Sequence, residues 1–435
     1  MAEGRVADAL RLSGANGAWR LSSPVVYSRT RRRRTTQRRT FAVALLALVA
    51  AAILVIAFAF SSSTSTDESP AESPSEGTSV EEVADTPETE GGEAPAPPDG
   101  EADDNEPESV KGIYLTAASA SDIEPYFDLI ERTEINAAVV DVKDVTGEVM
   151  YPSEVPLAGE IGATRDILDL ESLASELDGR DVYSIARIAV FEDQILPASR
   201  PDLAVTDSAT GAEWRNNVGS TWADPYSREV WEYNVAVARE AAEAGFDEIQ
   251  FDYVRFPSDG PMETLSYPAE TDDENTIASF LEYASGELEP TGAKVAADVF
   301  GLASGDGGAG VGQNIREMAP HLDVVNPMVY PSHFPVGTYG LDTPNAAPYE
   351  VIENAMADFQ ADAEASNPEL EIRPWLQDFD YGEPPYGPAE VEAQIQATYD
   401  SGETGWLLWN PSNEYTEEAL GGDGSASGGQ YGGGE

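Results

Sequence analysis

Short runs in which apolar side chains alternate with polar ones recur along the chain, between longer stretches whose apolar positions fall at helical spacing. The clearest run is Phe246 to Pro257, FDEIQFDYVRFP. Side chains on a strand point to opposite faces with period two. The pattern therefore predicts Ile249, Phe251 and Tyr253 outward against helices, with Gln250 and Asp252 facing the interior of a closed sheet. An unpaired carboxylate there costs several kcal/mol, so Asp252 needs a reason to be present. The preceding stretch reads as a helix. Asp224 and Pro225 open it, Val230, Val237, Ala241 and Ala244 form its apolar stripe, and Gly245 stops it.

Eight strand-like segments recur: Gly112 to Thr116, Ala137 to Val142, Val182 to Val190, Glu248 to Tyr253, Lys294 to Val299, Asp323 to Val329, Ile372 to Gln377 and Gly405 to Trp409. Helical patterns lie between several of them, at Ser121 to Thr133, Leu170 to Leu177, Thr276 to Leu288, Pro348 to Ala365 and Pro388 to Tyr399. Eight such units over residues 110–420 predict an α/β fold, a (β/α)₈ TIM barrel. An open doubly wound sheet would want a Gly-rich phosphate turn after its first strand, and LTAASASD offers none. The Gly-rich stretch Gly301 to Gly312 lacks a P-loop lysine and reads as a flexible loop over the barrel mouth.

Both ends lie outside that pattern. Residues 1–40 are basic and polar. Residues 41–60 are twenty uninterrupted apolar positions, enough as a helix to cross a hydrocarbon core about 30 Å thick. Arg on the amino side predicts a single-pass membrane anchor with a cytoplasmic N-terminus and an extracytoplasmic barrel. The competing reading is a cleaved signal peptide ending near Ala57-Phe58-Ala59, but its leader would be unusually long. Residues 61–109 carry 16 acids and no bases, which predicts a disordered, extended acidic linker, and residues 421–435 read as a Gly-rich tail.

Charge narrows the partners. The net charge is −56, although residues 1–60 hold ten Arg against two acids. So acidic a barrel repels nucleic acid and anionic lipid headgroups. With no Cys and only two His, thiol chemistry is excluded, and no zinc motif, serine-hydrolase elbow or EF-hand spacing is present. No cofactor or metal is expected.

In such barrels the chemistry sits at the carboxyl ends of the strands. There this chain places Asp141, Lys143 and Asp144, Arg187 with Phe191 and Glu192 beyond it, Asp252 and Arg255, Asp298, Asn326 and Tyr330 with His333 beyond, Gln377 and Asp378, and Trp409 and Asn410. Carboxylates, amides and aromatic faces in one cleft suit sugar cleavage: one carboxyl group protonates the leaving oxygen and a second attacks or activates water. Asp224 reads as a cap, Arg187 and Arg255 as partners of neighbouring carboxylates, and Trp214, Trp222, Trp231 and Trp375 as core or wall.

Several stretches resemble a bacterial family of glycoside-hydrolase-like barrels related to the α-amylase and α-galactosidase types. They are AAVVDVKDVTGEVMYPSEVPLA (137–158), YSIARIAVFEDQ (183–194), RPDLAV (200–205), the block from Trp222 to Pro257, AADVFG (296–301) and VVNPMVYPSHF (324–334). The resemblance spans about residues 111–415. It implies a TIM-type barrel with a nucleophilic Asp after strand four, which falls on Asp252. The amylase-like pattern puts a Glu after strand five, where this chain has Asp298. That departure leaves Asp298, or an acid after strand six or seven such as Asp378, as the proton donor.

Together these readings point to an anchored extracytoplasmic glycoside hydrolase acting on a polysaccharide. Asp252 would be the nucleophile and Asp298 the acid/base. Asp141, Lys143, Arg187, Arg255, Asn326, Tyr330, Gln377, Asp378 and Trp409 would bind substrate. The competing class is a non-catalytic glycan-binding barrel tethered to the envelope.

Overall fold

The computed structural model describes residues 107–421, apart from 270, 272–274 and 306–307. The basic segment, the predicted anchor at 41–60, almost all of the predicted linker and nearly all of the tail lie outside the described residues. Among the described residues no helix is long and apolar enough to cross a membrane.

Eight parallel strands close into a barrel. They are β1 (Lys111–Leu115), β2 (Ala137–Lys143), β3 (Tyr183–Ala189), β4 (Glu248–Asp252), β5 (Lys294–Phe300), β6 (Val324–Met328), β7 (Trp375–Gln377) and β8 (Trp406–Trp409). Each pairs with the next, β8 returns to β1 with Lys111 opposite Trp406, and Trp375 of β7 stands opposite Met328 of β6. Strand seven begins earlier, as Glu371–Ile372 alongside β6, and is interrupted at Arg373 and Pro374, because proline has no N–H for the ladder.

Helices cross over between the strands. The longer ones are α1 (Glu124–Ile130), α2 (Leu170–Asp178), α3 (Arg228–Glu243) and α4 (Thr276–Leu288), followed by the single turn α5 (Ile315–Met318), then α6 (Pro348–Ser366) and α7 (Pro388–Asp400). Their ends carry the expected chemistry. Asp169 caps α2 by accepting from the Ser172 N–H at 3.0 Å, and Gly245 supplies the positive φ of 104° that ends α3 and turns the chain into β4.

Strand alternation sorts the side chains into two apolar clusters. Ile113, Val140, Ile188, Ile249, Phe251 and Val295 lie outside the barrel, buried with the helix residues Val237, Phe280 and Phe359. Tyr114, Val139, Ile185, Trp375 and Leu407 fill the inside. Burying a side chain such as Phe251 fully is worth about 1.5–3 kcal/mol, so the outer layer fixes which way each strand faces.

The interior also carries polar tiers. At the amino end Arg373 Nη1 donates to both Glu248 oxygens at 3.0 and 2.9 Å, and both side chains are fully buried. One tier up, Gln250 Nε2 donates to Asn326 Oδ1 at 3.1 Å, and Asn326 Nδ2 donates to the Arg373 carbonyl at 3.0 Å. The third tier, at the carboxyl end, is the candidate site.

Two expectations are corrected. Asp224 does not cap α3, which begins at Arg228 with Ser227 before it. Its carboxylate instead accepts from the N–H groups of Tyr226 at 3.0 Å and Ala269 at 2.8 Å, tying down a loop. Tyr253 does not continue the outward face, because β4 stops at Asp252 and Tyr253 turns left-handed with φ 52°. Just past the Gly-rich stretch, one side chain braces the end of β5. Gln313 is buried, accepts from the Phe300 N–H at 2.9 Å and donates to the Asp298 carbonyl at 3.2 Å.

Removing one partner of a buried ion pair strands the other charge, which costs about 3–5 kcal/mol. Arg373→Met is therefore expected to lower unfolding stability in urea by that amount. The double variant with Glu248→Gln is expected to recover most of the loss. A single variant as stable as wild type would show that the pair does not carry the lower barrel.

Candidate functional site

The third tier is built around one guanidinium. Arg187 points inward from β3, and its Nη1 bonds Asp141 of β2 while its Nη2 bonds Asp252 of β4. Its Nε lies 3.1 Å from Asp252 Oδ2 and 3.7 Å from Asp298 Oδ2, on β5. Asp252 and Asp298 thus share a nitrogen and lie within about 7 Å of each other. Retaining glycosidases place their carboxyl pair roughly 5 Å apart, and inverting ones about 6.5–9.5 Å.

Each carboxyl group has further partners. The Tyr114 hydroxyl donates to Asp141, and its ring stacks on Trp409 with centroids 4.1 Å apart. Trp375 Nε1 donates to Asp298 Oδ1 at 2.7 Å. Asp252 Oδ1 accepts from the Tyr253 N–H at 2.6 Å. With the two Arg187 donors, that gives Asp252 three N–H groups, a set that matches an anionic acceptor.

Three acids around one base leave an excess of negative charge in a dry place, and protons respond to it. Burial, with the neighbouring Asp252 charge added, raises Asp298 well above the usual carboxylate range. Burial also raises Asp141, against the pull of Arg187. Burial alone would lower Arg187, but Asp141 and Asp252 outweigh it and keep the guanidinium charged.

A cleft of about 670 Å³, its open mouth included, stands above this tier. Its acids are Glu192, Asp252, Asp259 and Asp298, its bases are Arg187 and Arg255, and its aromatic wall is Tyr253, Phe300, Tyr330, Trp375 and Trp409, with Asn216 and Met328 completing it. Glu192 follows β3 by three residues and is only 4% exposed. Burial raises it to about 7; Arg255 and a hydrogen bond with Ser220 pull it down, and the Asp259 and Asp252 charges push it up. Arg255 Nη2 stands 3.9 Å from Glu192, and its guanidinium lies over the rings of Trp222, Tyr253 and Phe300. Tyr253 occupies the left-handed region that non-glycine residues rarely adopt, and such strain persists where function or surrounding packing demands it.

Six of the residues expected from the sequence meet in this cleft: Asp252, Asp298, Arg187, Arg255, Tyr330 and Trp409. Asp141 lies just behind it, on Arg187. The other four are elsewhere. Lys143 is fully buried outside the barrel, its ammonium 2.6 Å from the Ala189 carbonyl, 2.9 Å from Asp193 and over the Tyr233 ring of α3. Asn326 belongs to the middle tier. Gln377 accepts from the Ser332 backbone and hydroxyl at 3.1 and 2.8 Å. Asp378 accepts from the Thr416 N–H and hydroxyl at 2.8 and 2.6 Å, anchoring the last segment of the chain. Conversely, Glu192, Tyr253, Asp259 and Trp375 line the cleft without being among the expected site residues. Glu192 carried a visible signal, an acid just past the end of a strand. Among the described residues no group of three or more His, Asp or Glu is arranged to hold a metal ion.

Comparisons with known proteins bear on this geometry. The family described as "Putative glycosyl hydrolase domain" matches residues 112–415, well over half of the chain. None of the curated proteins matches. Among solved structures, a hypothetical protein from Ruminiclostridium thermocellum is 39% identical, covering 43% of this chain and 96% of that one, with a TM-score of 0.39. The PgaB (BpsB) glycoside hydrolase domain from Bordetella bronchiseptica is 14% identical, covering 72% and 99%, with a TM-score of 0.52, a likeness of fold. The α-galactosidase from Thermus thermophilus is 13% identical, covering 70% and 58%, with a TM-score of 0.44.

The raised Glu192 has a stability consequence. Its carboxyl group titrates near 7 when folded and near the ordinary 4.5 when unfolded, so the folded state holds its proton more tightly. That contribution is full below about pH 4.5 and is lost as the pH rises through 7. Glu192→Gln is therefore expected to exceed wild type in stability by roughly 3 kcal/mol at pH 8, with the gap closing by pH 5, in denaturant unfolding at both pH values. A gap independent of pH would contradict this.

Proposed function

The chain belongs to the putative glycosyl hydrolase domain family, and from that premise we propose that it is a membrane-anchored, extracytoplasmic glycoside hydrolase that cleaves a polysaccharide. The observation that carries the reading is Asp252: a carboxylate at the carboxyl end of β4, held by three N–H donors and facing a cleft walled by aromatic rings. Trp409, part-exposed on the cleft wall, is suited to stack on a sugar ring. Asp252 attacks the anomeric carbon while a second carboxyl group protonates the departing oxygen, so the product keeps its anomeric configuration. Asp298, expected from the sequence as that second group, lines the same cleft, and burial with the neighbouring Asp252 charge raises its proton affinity.

The location rests on the sequence. The apolar run 41–60 with Arg on its amino side favours an anchor, and the acidic stretch 61–109 favours a stalk that carries the barrel away from the membrane. The net charge of −56 turns nucleic acid away, and the family favours a glycan as partner.

The test is reducing-end release by the purified full chain on a panel of envelope and storage polysaccharides, beside Asp252→Asn. Wild type is expected to release ends, and the variant to lose roughly three orders of magnitude or more while still binding the glycan. Binding by both with no release by either would favour a non-catalytic glycan-binding barrel.

A further inference from the structure

We infer that Glu192 donates the proton to the departing glycosidic oxygen and later takes one from the attacking water, an inference that rests on the glycosidase reading above.

Glu192 and Asp252 stand at the carboxyl ends of adjacent strands, and backbone pairing continues past β3 to fix one against the other. The Val190 N–H donates to the Asp252 carbonyl at 2.9 Å, and the Phe191 N–H donates to the Tyr253 carbonyl at 3.3 Å. On the other side the Ala223 N–H donates to the Phe191 carbonyl at 2.8 Å, and Glu192 bridges to Trp222. The residue carrying the carboxyl group is thus clamped on both flanks, as a proton donor at fixed reach must be.

Its surroundings fit a group that changes charge during turnover. Glu192 lines the cleft beside Asp252, and its cation partner Arg255 stands off at 3.9 Å rather than clasping it. Burial with the Asp252 and Asp259 charges brings it to about 7, where a general acid both holds and releases its proton near neutrality. Asp298 fits less well. It is 1% exposed, committed to Trp375 and placed on the same guanidinium nitrogen as Asp252. With both oxygens taken up by Trp375 and Arg187, it acts through Arg187 as a positioning residue for Asp252.

The steps balance. In the first, Asp252 bonds to the anomeric carbon, the glycosidic C–O bond breaks, and the Glu192 proton moves to the leaving oxygen, which departs as an alcohol. In the second, water bonds to the anomeric carbon and gives a proton to Glu192. As that bond forms, the bond to Asp252 breaks, freeing its carboxylate and a reducing sugar.

The test compares wild-type full chain with Glu192→Ala, Glu192→Gln and Asp298→Asn. The substrates are the polysaccharide panel and 2,4-dinitrophenyl glycosides of glucose, galactose and N-acetylglucosamine in both anomers. Glu192→Ala is expected to lose about 10²- to 10⁴-fold in kcat/KM on polysaccharide. On the dinitrophenyl glycosides, whose leaving group needs no proton, it should lose far less, and added azide should restore turnover and yield a glycosyl azide. Glu192→Gln should lose the fall in rate near pH 7 on the alkaline side. Glu192 variants within severalfold of wild type, or azide rescue and loss of the alkaline limb in the Asp298 variant instead, would overturn the assignment while leaving the glycosidase reading intact. A wild type silent on every substrate would end the glycosidase reading, and this inference with it.

Discussion

The structure turns on a single guanidinium inside the barrel. Arg187 takes up Asp141, Asp252 and, at longer range, Asp298, one carboxyl group from each of three strands. Without it, the acids gathered at the carboxyl end would repel one another in a medium that screens poorly. With it, Asp252 is oriented toward the cleft, while burial raises the proton affinity of Asp298 and Asp141. The same arginine lies 5.2 Å from the Trp409 ring centre and 5.6 Å from that of Tyr114, so it also fixes Trp409 on the wall and the Tyr114 ring stacked behind it.

The barrel beneath supplies rigidity by dividing the work between faces. Apolar residues outside each strand bind the helices, and the inside carries tiers of paired polar groups from Glu248 and Arg373 up to the Arg187 cluster. Buried pairs of this kind contribute little net stability, but each fixes the relative height of the strands that carry it. Register errors that would displace Asp252 therefore carry the penalty of a broken ion pair further down.

Much of this was legible in the sequence, for a definite reason. Short strand-like apolar segments located all eight barrel strands, and helical periodicity with Pro and Gly punctuation located α4 from Thr276 to Leu288 and α6 from Pro348 onward. Asp252 stood out as an acid on the inner face of a strand with an apolar outer face. The misreadings arise where periodicity stops. A shift of register between Asp141 and Lys143 sets Lys143 level with outward-facing Ile188, so a lysine predicted to face the site is turned toward α3. Tyr253 leaves the alternation because the backbone turns left-handed once the strand ends. Glu192 lies beyond its strand, where no pattern says which way a side chain points. Asp378 and Gln377 are at the right height but are taken up by Thr416 and Ser332, partners that no spacing reveals.

The central claim is that Asp252 attacks the sugar. It is tested most directly by trapping the covalent intermediate with 2-deoxy-2-fluoroglycosyl fluorides and finding the label by peptide mass spectrometry. The account predicts a single adduct on the peptide that carries Asp252. A label on another carboxylate, or products of inverted configuration with no adduct formed, would contradict it.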